Sequence, residues 1–522
     1  VGDDRQKVAI QVEKQDAENG ATVEGAVFGI YNKDDIKAEG KVIVNADTLL
    51  QELTSDKDGI ASCTLDLPLG QYYVKELKAP AGFVSSDEVL NLDASYQGQD
   101  VKTVKLKTVK KNQPTTVEIT KSDVTTGVEL DGAKLTVLDR EGNVVDQWTS
   151  VKDQPHVIKR LTVGEEYTLR EEIAPYGYLK ATDVKFTLED TAEIQKVEMK
   201  DEVPTGLLII NKNGEFLDKV TLLDNVKGTV EHLFEYVTGS LTDVTFDVFA
   251  AEDIKAADGV SKDYYKADEK VGTITTDSNG IAQMDNLPAG KYYVKEVKTA
   301  HGYVLDGEPR YVDLSYRDQD TPVITYDEKW QNTRQKVKVT VLKKEKDTDR
   351  VLAGGVFGLY TSEDIKNVNG DVLLEKDSLI EQKATDEKGQ ITFAADLPVD
   401  GKYYVKEEVR KPGYLPNEEI WEMDASYTDQ NLAEIKLTKE VENQPTESQF
   451  TKTDATTGEE LEGAKLQIID KEGNIVEEWI SAKEPHVVYG LPEGTYILHE
   501  ELPPYAEGYV CLLYTSPSPR DS

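Results

Sequence analysis

The chain repeats itself, and this repetition limits what its 522 residues can fold into more than any other feature. Three copies of a longer unit carry an apolar segment, an Asp-Ile pair, a D-x-x-G turn and a Tyr-Tyr-Val-Lys-Glu segment, the last at 72–76, 292–296 and 403–407. A shorter unit occurs twice, and its residues 120–135 match residues 451–466. The chain is therefore expected to be a row of related domains.

The order long, short, long, long, short divides the chain into five units, numbered here from 1 to 5. Their expected ranges are 1–113, 114–203, 204–334, 335–444 and 445–510. Unit 3 is longer than its relatives because of an insertion at about 213–240, in which residues 230–237 could form a helix.

Both ends of the sequence are expected to be incomplete. Val1 is not an initiator methionine, and no signal peptide follows it. Residues 511–522 resemble a sequencing adapter translated in frame, with a natural Ser/Pro-rich tail as the alternative. These residues are left out of the fold prediction, so unit 5 is expected to stop before its last strand.

The units are expected to consist mainly of strands. Val8, Ile10 and Val12 alternate with Ala9, Gln11 and Glu13, and this period of two residues is typical of a strand. Residues 116–121 and 338–343 also read as strands. The runs are short and bounded by Gly, Pro, Asp and Asn, as in β-sandwiches. The predicted fold class is all-β, with tandem β-sandwich modules in a linear array and a short helical turn at each Asp-Ile pair.

Composition excludes several kinds of function. The chain has 60 basic and 99 acidic residues, a net charge of −39, which argues against binding to nucleic acid. Its longest apolar run, about 207–210, is far too short to cross a membrane. Cys63 and Cys511 are its only cysteines, so neither a disulfide framework nor a Cys/His metal site is expected. No cofactor and no site of enzymatic turnover are predicted.

The repeated residues resemble a known family. The pattern K-x-D/E, G-A-x-F/L, G-x-Y-x-V/L-x-E and P-x-G-Y/F is similar to the collagen-adhesin B-type, or prealbumin-like, domains of SpaA-type pilins and other Gram-positive surface proteins. The resemblance extends over about 1–510. It implies Ig-like β-sandwiches that form their own isopeptide bond between a Lys and an Asn or Asp, promoted by a Glu.

Three sets of residues match this implied chemistry. A lysine opens each unit, and in four units it precedes a glycine by eleven residues; the lysines are Lys14, Lys121, Lys212, Lys343 and Lys452. A glutamate follows a tyrosine by four residues in every unit, at Glu76, Glu171, Glu296, Glu407 and Glu500. The acceptors expected on the last strands of units 1 to 4 are Asn112, Asp201, Asn332 and Asn443.

The residue types suit a reaction that each unit performs once on itself. Burial lowers the pKa of a lysine and raises that of a carboxyl group. A neutral lysine can then attack the acceptor, while a protonated glutamate polarises the acceptor carbonyl and transfers the proton. Such a bond would join the first strand to the last. In unit 2, Glu172 and Lys200 compete with the assigned residues as alternatives.

The predicted function is a structural stalk or shaft segment of a Gram-positive cell-surface adhesin or pilin-like protein. One alternative is a module, most plausibly unit 3, that binds a host matrix protein or a glycan; another is a set of accessory repeats in an extracellular enzyme. The expected location is the cell wall or cell surface. Sortase and the wall are partners implied by the resemblance, through a C-terminal anchor outside this sequence.

Overall fold

The computed structural model describes residues 4–223, 230–502 and 514–517. These residues form strands and turns and no helix, which confirms the all-β fold class. In the same part of the chain, no helix has the length and apolar character needed to cross a membrane.

Unit 1 folds into two sheets around one core. Its strands are β1 (Lys7–Asp16), β2 (Val27–Asn32), β3 (Ile36–Ala38), β4 (Lys41–Val44), β5 (Leu49–Thr54), β6 (Ile60–Ser62), β7 (Gly70–Lys78), β8 (Leu90–Ala94) and β9 (Thr103–Asn112). One sheet has the order β6-β1-β9 and the other β5-β2-β7-β8. Val8 and Ile10 from the first sheet pack with Phe28 and Val74 from the second. The first and last strands, β1 and β9, run parallel to each other.

Unit 2 repeats this arrangement with fewer strands. They are β10 (Thr116–Asp123), β11 (Lys134–Leu138), β12 (Val144–Thr149), β13 (His156–Lys159), β14 (Glu166–Ile173), β15 (Val184–Thr187) and β16 (Gln195–Asp201). The sheet orders are β13-β10-β16 and β12-β11-β14-β15. Here too the first and last strands, β10 and β16, are parallel neighbours.

Unit 3 has the same two sheets, but its first strand is much longer. Its strands are β17 (Thr205–Leu223), β18 (Glu231–Ser240), β19 (Thr245–Ala250), β20 (Lys270–Thr275), β21 (Ile281–Pro288), β22 (Gly290–Lys298), β23 (Arg310–Leu314) and β24 (Val323–Gln331). The start of β17 lies between β21 and parallel β24. The other sheet has the order β20-β19-β22-β23.

Unit 4 returns to the plan of unit 1. Its strands are β25 (Lys336–Glu345), β26 (Val356–Thr361), β27 (Ile365–Lys366), β28 (Val372–Leu374), β29 (Leu379–Ala384), β30 (Gln390–Thr392), β31 (Lys402–Val409), β32 (Ile420–Asp424) and β33 (Glu434–Asn443). β25 lies between β30 and parallel β33. The facing strands follow the order β29-β26-β31-β32.

Unit 5 has β34 (Glu447–Phe450), β35 (Lys465–Ile469), β36 (Ile475–Ile480), β37 (His486–Tyr489), β38 (Thr495–Leu502) and β39 (Tyr514–Pro517). Its sheets are β34-β37 and β36-β35-β38-β39. β39 lies within residues 511–522, the segment left out of the fold prediction, and its backbone pairs antiparallel with β38. Within the described residues, β34 has β37 as its partner and no parallel last strand beside it.

The insertion in unit 3 is a hairpin that reaches into unit 4. Residues 213–223 of β17 pair with β18, so the helix considered for 230–237 is wrong. Leu217 and Phe234 of the hairpin are buried in the same core as Val341 and Phe357 of unit 4. β18 also touches the edge of β29, where Glu231 pairs with Glu381. A strand forms because alternate side chains of the hairpin face the apolar surface of the next unit.

The Asp-Ile pairs begin extended loops, so the helical turn expected there is wrong. In units 1 and 4 the pair leads into the small hairpins β3-β4 and β27-β28. The aspartate side chain instead accepts a backbone hydrogen bond from further along the loop, at 2.9 Å in each long unit: Asp35 from Ala46, Asp253 from Ala267 and Asp364 from Lys376. The aspartate therefore closes the loop, a common use of this residue type.

Candidate cross-linking sites

In units 1, 2 and 4 the predicted lysine and acceptor lie on neighbouring parallel strands, and in unit 3 the acceptor directly follows such a strand. Lys14 lies opposite Lys110, and Asn112 is two residues further along the same strand. Because residues two apart point to the same face, Lys14 and Asn112 both point into the core. The same offset relates Lys121 to Asp201, Lys212 to Asn332, and Lys343 to Asn443.

The predicted glutamate comes from the opposite sheet. Glu76 on β7 lies opposite Phe28 on β2, and its side chain is 1% exposed. In the other units the glutamate also pairs with an apolar residue: Glu171 with Leu135, Glu296 with Phe246, Glu407 with Phe357 and Glu500 with Leu466. The two sheets thus bring a carboxyl group to each lysine inside the core.

In unit 1 the three side chains meet at Glu76. Lys14 Nζ lies 3.3 Å from Glu76 Oε1. The Asn112 side-chain amide donates to Glu76 Oε2 at 2.5 Å and to the carbonyl oxygen of Val84 at 2.8 Å. Lys14 and Asn112 are 0% and 2% exposed, so water is excluded from the site.

In unit 2 the lysine contacts both carboxyl groups. Lys121 Nζ lies 3.0 Å from Glu171 Oε1 and forms an ion pair with Asp201 Oδ1. The competing residues point away: Glu172 is exposed, and Lys200 is exposed and pairs with a glutamate on its own strand. Glu171 is therefore the carboxyl group of this pair that contacts Lys121.

In unit 3 the lysine that broke the sequence spacing occupies the same position as its relatives. Lys212 Nζ lies 2.7 Å from Glu296 Oε2. The Asn332 amide donates to Glu296 Oε1 at 2.5 Å and to Thr299 Oγ1 at 2.6 Å. The eleven-residue spacing from lysine to glycine fails here because the long hairpin is inserted between Lys212 and the next strand. The sheets nevertheless place Glu296 and Asn332 beside Lys212.

Unit 4 repeats the geometry of unit 1. Lys343 Nζ forms an ion pair with Glu407 Oε1, and the Asn443 amide donates to Glu407 Oε2 at 2.7 Å. Lys343 and Asn443 are 0% and 1% exposed.

Unit 5 has a lysine and a glutamate in contact. Lys452 Nζ lies 3.3 Å from Glu500 Oε1. The Lys452 side chain is 22% exposed, in contrast to the fully buried lysines of the other units. Within the described residues, no acceptor strand lies beside β34 to cover it.

Burial changes the acid–base behaviour of these groups. Desolvation lowers the pKa of Lys14 and of Lys343 to about 8, and it lowers the pKa of Lys212 as well. Burial also raises the pKa of Asp201, which shares its site with the carboxyl group of Glu171. Buried lysines with a lowered pKa are neutral, and hence nucleophilic, in a larger fraction at neutral pH.

Each acceptor also has one buried oxygen without a hydrogen-bond partner among the described residues: Asn112 Oδ1, Asp201 Oδ2, Asn332 Oδ1 and Asn443 Oδ1. Leaving such an atom without a partner costs about 1–3 kcal/mol. Such atoms are few in native structures, and a catalytic role is one of the reasons for them. The four positions are therefore the places where a reacting carbonyl would be expected.

The sequence interpretation missed Lys110. Its side chain is 1% exposed and lies opposite Lys14 on the neighbouring strand. The signal was available, because Lys110 precedes Asn112 by two residues and must therefore share its inward face.

Among the residues that the structure describes, no group of three or more His, Cys, Asp and Glu side chains is arranged to hold a metal ion.

Comparison with known proteins identifies the repeated module. A model of a family described as SpaA, prealbumin-like fold domain, matches the chain five times, at residues 8–110, 115–203, 235–330, 337–441 and 446–514. A search of curated proteins finds no match.

Several solved structures are similar. The Bacillus anthracis TIE protein is 18% identical with a TM-score of 0.44, and the match covers 84% of this chain and 73% of that one. BcpA, the major pilin subunit of Bacillus cereus, is 16% identical with a TM-score of 0.32, covering 63% and 100%. The shaft pilin SpaA of Lactobacillus rhamnosus GG is 16% identical with a TM-score of 0.20, covering 38% and 97%.

Proposed function

Because the chain belongs to the family of SpaA prealbumin-like fold domains, we propose that it is a stalk or shaft segment of a Gram-positive cell-surface protein, stiffened by an isopeptide bond within each of units 1 to 4. Prealbumin-like relatives are structural proteins rather than enzymes. The observation that carries the proposal is the recurrence of a buried Lys in contact with a buried Glu in four successive units. The acceptor contacts the same Glu in units 1, 3 and 4 and contacts the Lys in unit 2.

The reaction follows from the contacts. The neutral amine of Lys14 attacks Cγ of Asn112, and the new C–N bond forms as the amide nitrogen leaves as ammonia. Glu76 contacts both groups, so it can take a proton from the amine and give one to the leaving nitrogen. Holding the groups in contact replaces an encounter in solution, an effect worth up to about 7–11 kcal/mol of the barrier. In unit 2 the acceptor is Asp201, and the leaving group is water.

The position of the bond suits a protein under tension. Force applied to unit 1 enters along β1, crosses from Lys14 to Asn112 and leaves directly into unit 2, because Asn112 is the final residue of the last strand. The residues between Lys14 and Asn112 then carry no load. The closed loop of about 100 residues is comparable to one that a disulfide stabilises by about 4.7 kcal/mol. The next lysine, Lys121, follows Asn112 by nine residues, so the load would continue into unit 2 by a short path.

Attachment to the cell wall and assembly with other pilin-like chains through sortase belong to the same proposal and rest on family membership. The alternative that unit 3 binds a host ligand through its insertion is less well supported. The apolar side of the hairpin, with Leu217 and Phe234, is already packed into unit 4.

The mass of the unfolded chain tests the proposal. We expect a deficit of three molecules of ammonia and one of water, with cross-linked peptides joining Lys14 to Asn112, Lys121 to Asp201, Lys212 to Asn332 and Lys343 to Asn443. The variant Glu171→Gln should lack the deficit of one water, because Lys121 and Asp201 lose the group that transfers the proton between them. The matched control Glu172→Gln, which changes the exposed neighbour, should keep the full deficit. An unmodified mass for the original chain, purified in its folded form and then denatured, would refute the cross-link proposal.

A further inference from the structure

Unit 1 contains a second buried lysine that its relatives lack. Lys110 lies opposite Lys14 in the parallel pair β1-β9, and both side chains face the core. The same register position holds an apolar residue in units 2 to 4: Met199, Trp330 and Val441, each buried. A buried charge at an apolar position is expensive to keep, so its presence beside the predicted nucleophile calls for a reason.

The structure shows how this second charge is held. Lys110 Nζ donates to Ser86 Oγ at 2.7 Å, to the carbonyl oxygen of Glu88 at 3.1 Å and to Glu88 Oε2 at 3.0 Å. Glu88 is largely exposed, with 62% of its side chain accessible, so water screens part of the charge that it contributes and Lys110 keeps a net positive effect. The anchoring leaves Lys110 with three acceptors of its own, and none of them is Glu76 or Asn112.

The surroundings of Lys14 then contain charges of both signs. Glu76 on β7 and Asp16 on its own strand favour the protonated amine, and Lys110 on β9 disfavours it. Asp16 is itself engaged by Arg160 of unit 2, whose Nη2 lies 2.7 Å from Asp16 Oδ2. Desolvation lowers the pKa of Lys14 to about 8, and the positive charge of Lys110 acts in the same direction.

We propose that Lys110 is a positioning residue for the cross-link of unit 1: anchored by Ser86 and Glu88, it presents a fixed positive charge to Lys14 and so favours the neutral, attacking form of that amine. This inference rests on the proposed function. Lys110 itself forms no bond to the acceptor, and the atoms that react are those of Lys14 and Asn112.

The test follows the formation of the bond over time. The full chain is recovered unfolded in urea, its unmodified mass is verified, and refolding is started at several pH values between 6 and 9. Samples are quenched and digested, and the Lys14–Asn112 peptide is quantified. The Lys343–Asn443 peptide of the same molecules serves as an internal control, because unit 4 has Val441 in place of Lys110.

Lys110→Met places in unit 1 the residue that unit 2 has at this register position. We expect the rate–pH profile of the Lys14–Asn112 bond to move to higher pH and its rate at pH 7 to fall by about threefold, which corresponds to half a pKa unit. Lys110→Arg should keep the original profile because it keeps the charge. Glu88→Gln changes a mostly exposed residue and should move the profile to lower pH, since it removes the negative charge that offsets Lys110.

The outcomes separate this inference from the proposed function. A rate reduced equally at every pH in Lys110→Met, with no movement of the profile in Glu88→Gln, would mean that Lys110 acts only by packing, and would overturn the inference alone. A refolded original chain that forms no Lys14–Asn112 peptide at any pH would refute the proposed function for unit 1 and the inference with it.

Discussion

At the level of single residues, a glycine holds the backbone of the predicted lysine in each long unit. The lysine N–H donates to the carbonyl of the turn glycine at 2.8 Å, in the pairs Lys14 and Gly59, Lys212 and Gly280, and Lys343 and Gly389. A Cβ on Gly59 would lie 2.8 Å from the carbonyl oxygen of Lys14. The D-x-x-G turn therefore does more than reverse the chain, because only a glycine allows this close approach.

This contact predicts the effect of Gly59→Ala. The added methyl group would push the Lys14 backbone away from Asn112, so both the thermal stability of unit 1 and the yield of the Lys14–Asn112 peptide should fall. Gly40→Ala is the matched control, since Gly40 has a similar φ of 76° but nothing within 4 Å of an added Cβ. Both variants carry the strain of a left-handed residue, about 1–2 kcal/mol. Equal losses in the two variants would contradict the positioning role of Gly59.

The lowered pKa of Lys343 predicts a pH dependence of stability in a chain that cannot cross-link. In Asn443→Ala the amine stays free, with a pKa of about 8 when folded against an ordinary value of 10.5. Between these values the unfolded state binds a proton that the folded state has lost, so stability should rise with pH from about 8 to 10.5. Denaturant unfolding of unit 4 at pH 7.5, 9 and 10.5 measures this, and a stability that falls across the range would contradict it.

The acceptor of unit 2 predicts a change of leaving group. Asp201→Asn gives unit 2 the amide that units 1, 3 and 4 carry at this position, and it removes one carboxyl group from a site that holds two. The variant should still form its bond to Lys121, but with loss of ammonia instead of water, so its cross-linked peptide should have the same mass as that of the original chain. An assay of the ammonia released on refolding should therefore give one molecule more per chain for the variant. A variant whose Lys121 peptide stays uncross-linked would contradict the prediction.

At the level of secondary-structure elements, the hairpin β17-β18 is the main departure from the repeat. The hydroxyl group of Tyr236 on this hairpin donates to the carbonyl oxygen of Asp396 at 2.8 Å. The guanidinium group of Arg334 stacks on the Tyr236 ring, with Cζ 3.6 Å from the ring centroid. Arg334 also pairs with Asp396. Arg334 forms a β-bridge with the aromatic residue of the Gly-aromatic turn, and in the other long units a proline, Pro114 or Pro445, takes this position. The arginine therefore occurs only in the long unit that has the hairpin.

The hairpin predicts that a mutation in unit 3 destabilises unit 4. Phe234→Ala removes a side chain that is 4% exposed and packs in the core of unit 4, and such truncations cost about 3–5 kcal/mol. Leu233→Ala is the control, because Leu233 is the adjacent residue and is 46% exposed. Hydrogen exchange of β26 and β31 should accelerate in Phe234→Ala and stay unchanged in Leu233→Ala. Accelerated hydrogen exchange confined to unit 3 would show that the hairpin does not stabilise unit 4.

At the level of the whole molecule, the contacts between neighbouring units depend on which kinds of unit, long or short, are joined. The passage from a long to a short unit occurs twice with the same contact: the backbone N–H of Thr115 donates to the carbonyl oxygen of Gly82 at 3.0 Å, and that of Thr446 donates to that of Gly413 at 2.8 Å. Between units 3 and 4 the hairpin is added to such contacts. The chain thus joins its units by repeated polar contacts and one shared core.

The proposed load path predicts how the molecule responds to a cut. A protease site inserted at Gly40, in the exposed turn between β3 and β4, lies between Lys14 and Asn112 in the sequence. After cleavage and denaturation the two pieces should stay joined through the isopeptide bond. In the same chain with Lys14→Ala the pieces should separate on a denaturing gel. Separation of the pieces without the Lys14 change would contradict the bond in unit 1.

The sequence by itself determined most of the strands, because they follow from local order, and it named the residues of the candidate sites through the repeat and the family resemblance. A period of two places Tyr73 and Lys75 on one face of β7 and Val74 and Glu76 on the other, and the phase of the repeat aligns each lysine with its relatives. Asn112 and its counterparts could be placed because they end each unit. These properties need no knowledge of what packs where.

Only the tertiary structure decided what depends on distant parts of the chain. Phe234 is a strand residue because the apolar surface of unit 4 covers it, and that surface is built from residues more than a hundred positions away, such as Phe357. The parallel pairing that brings Lys110 beside Lys14 likewise joins residues at opposite ends of unit 1. Local periodicity shows which face of a strand is apolar, but the partner of that face is selected by packing across the whole fold.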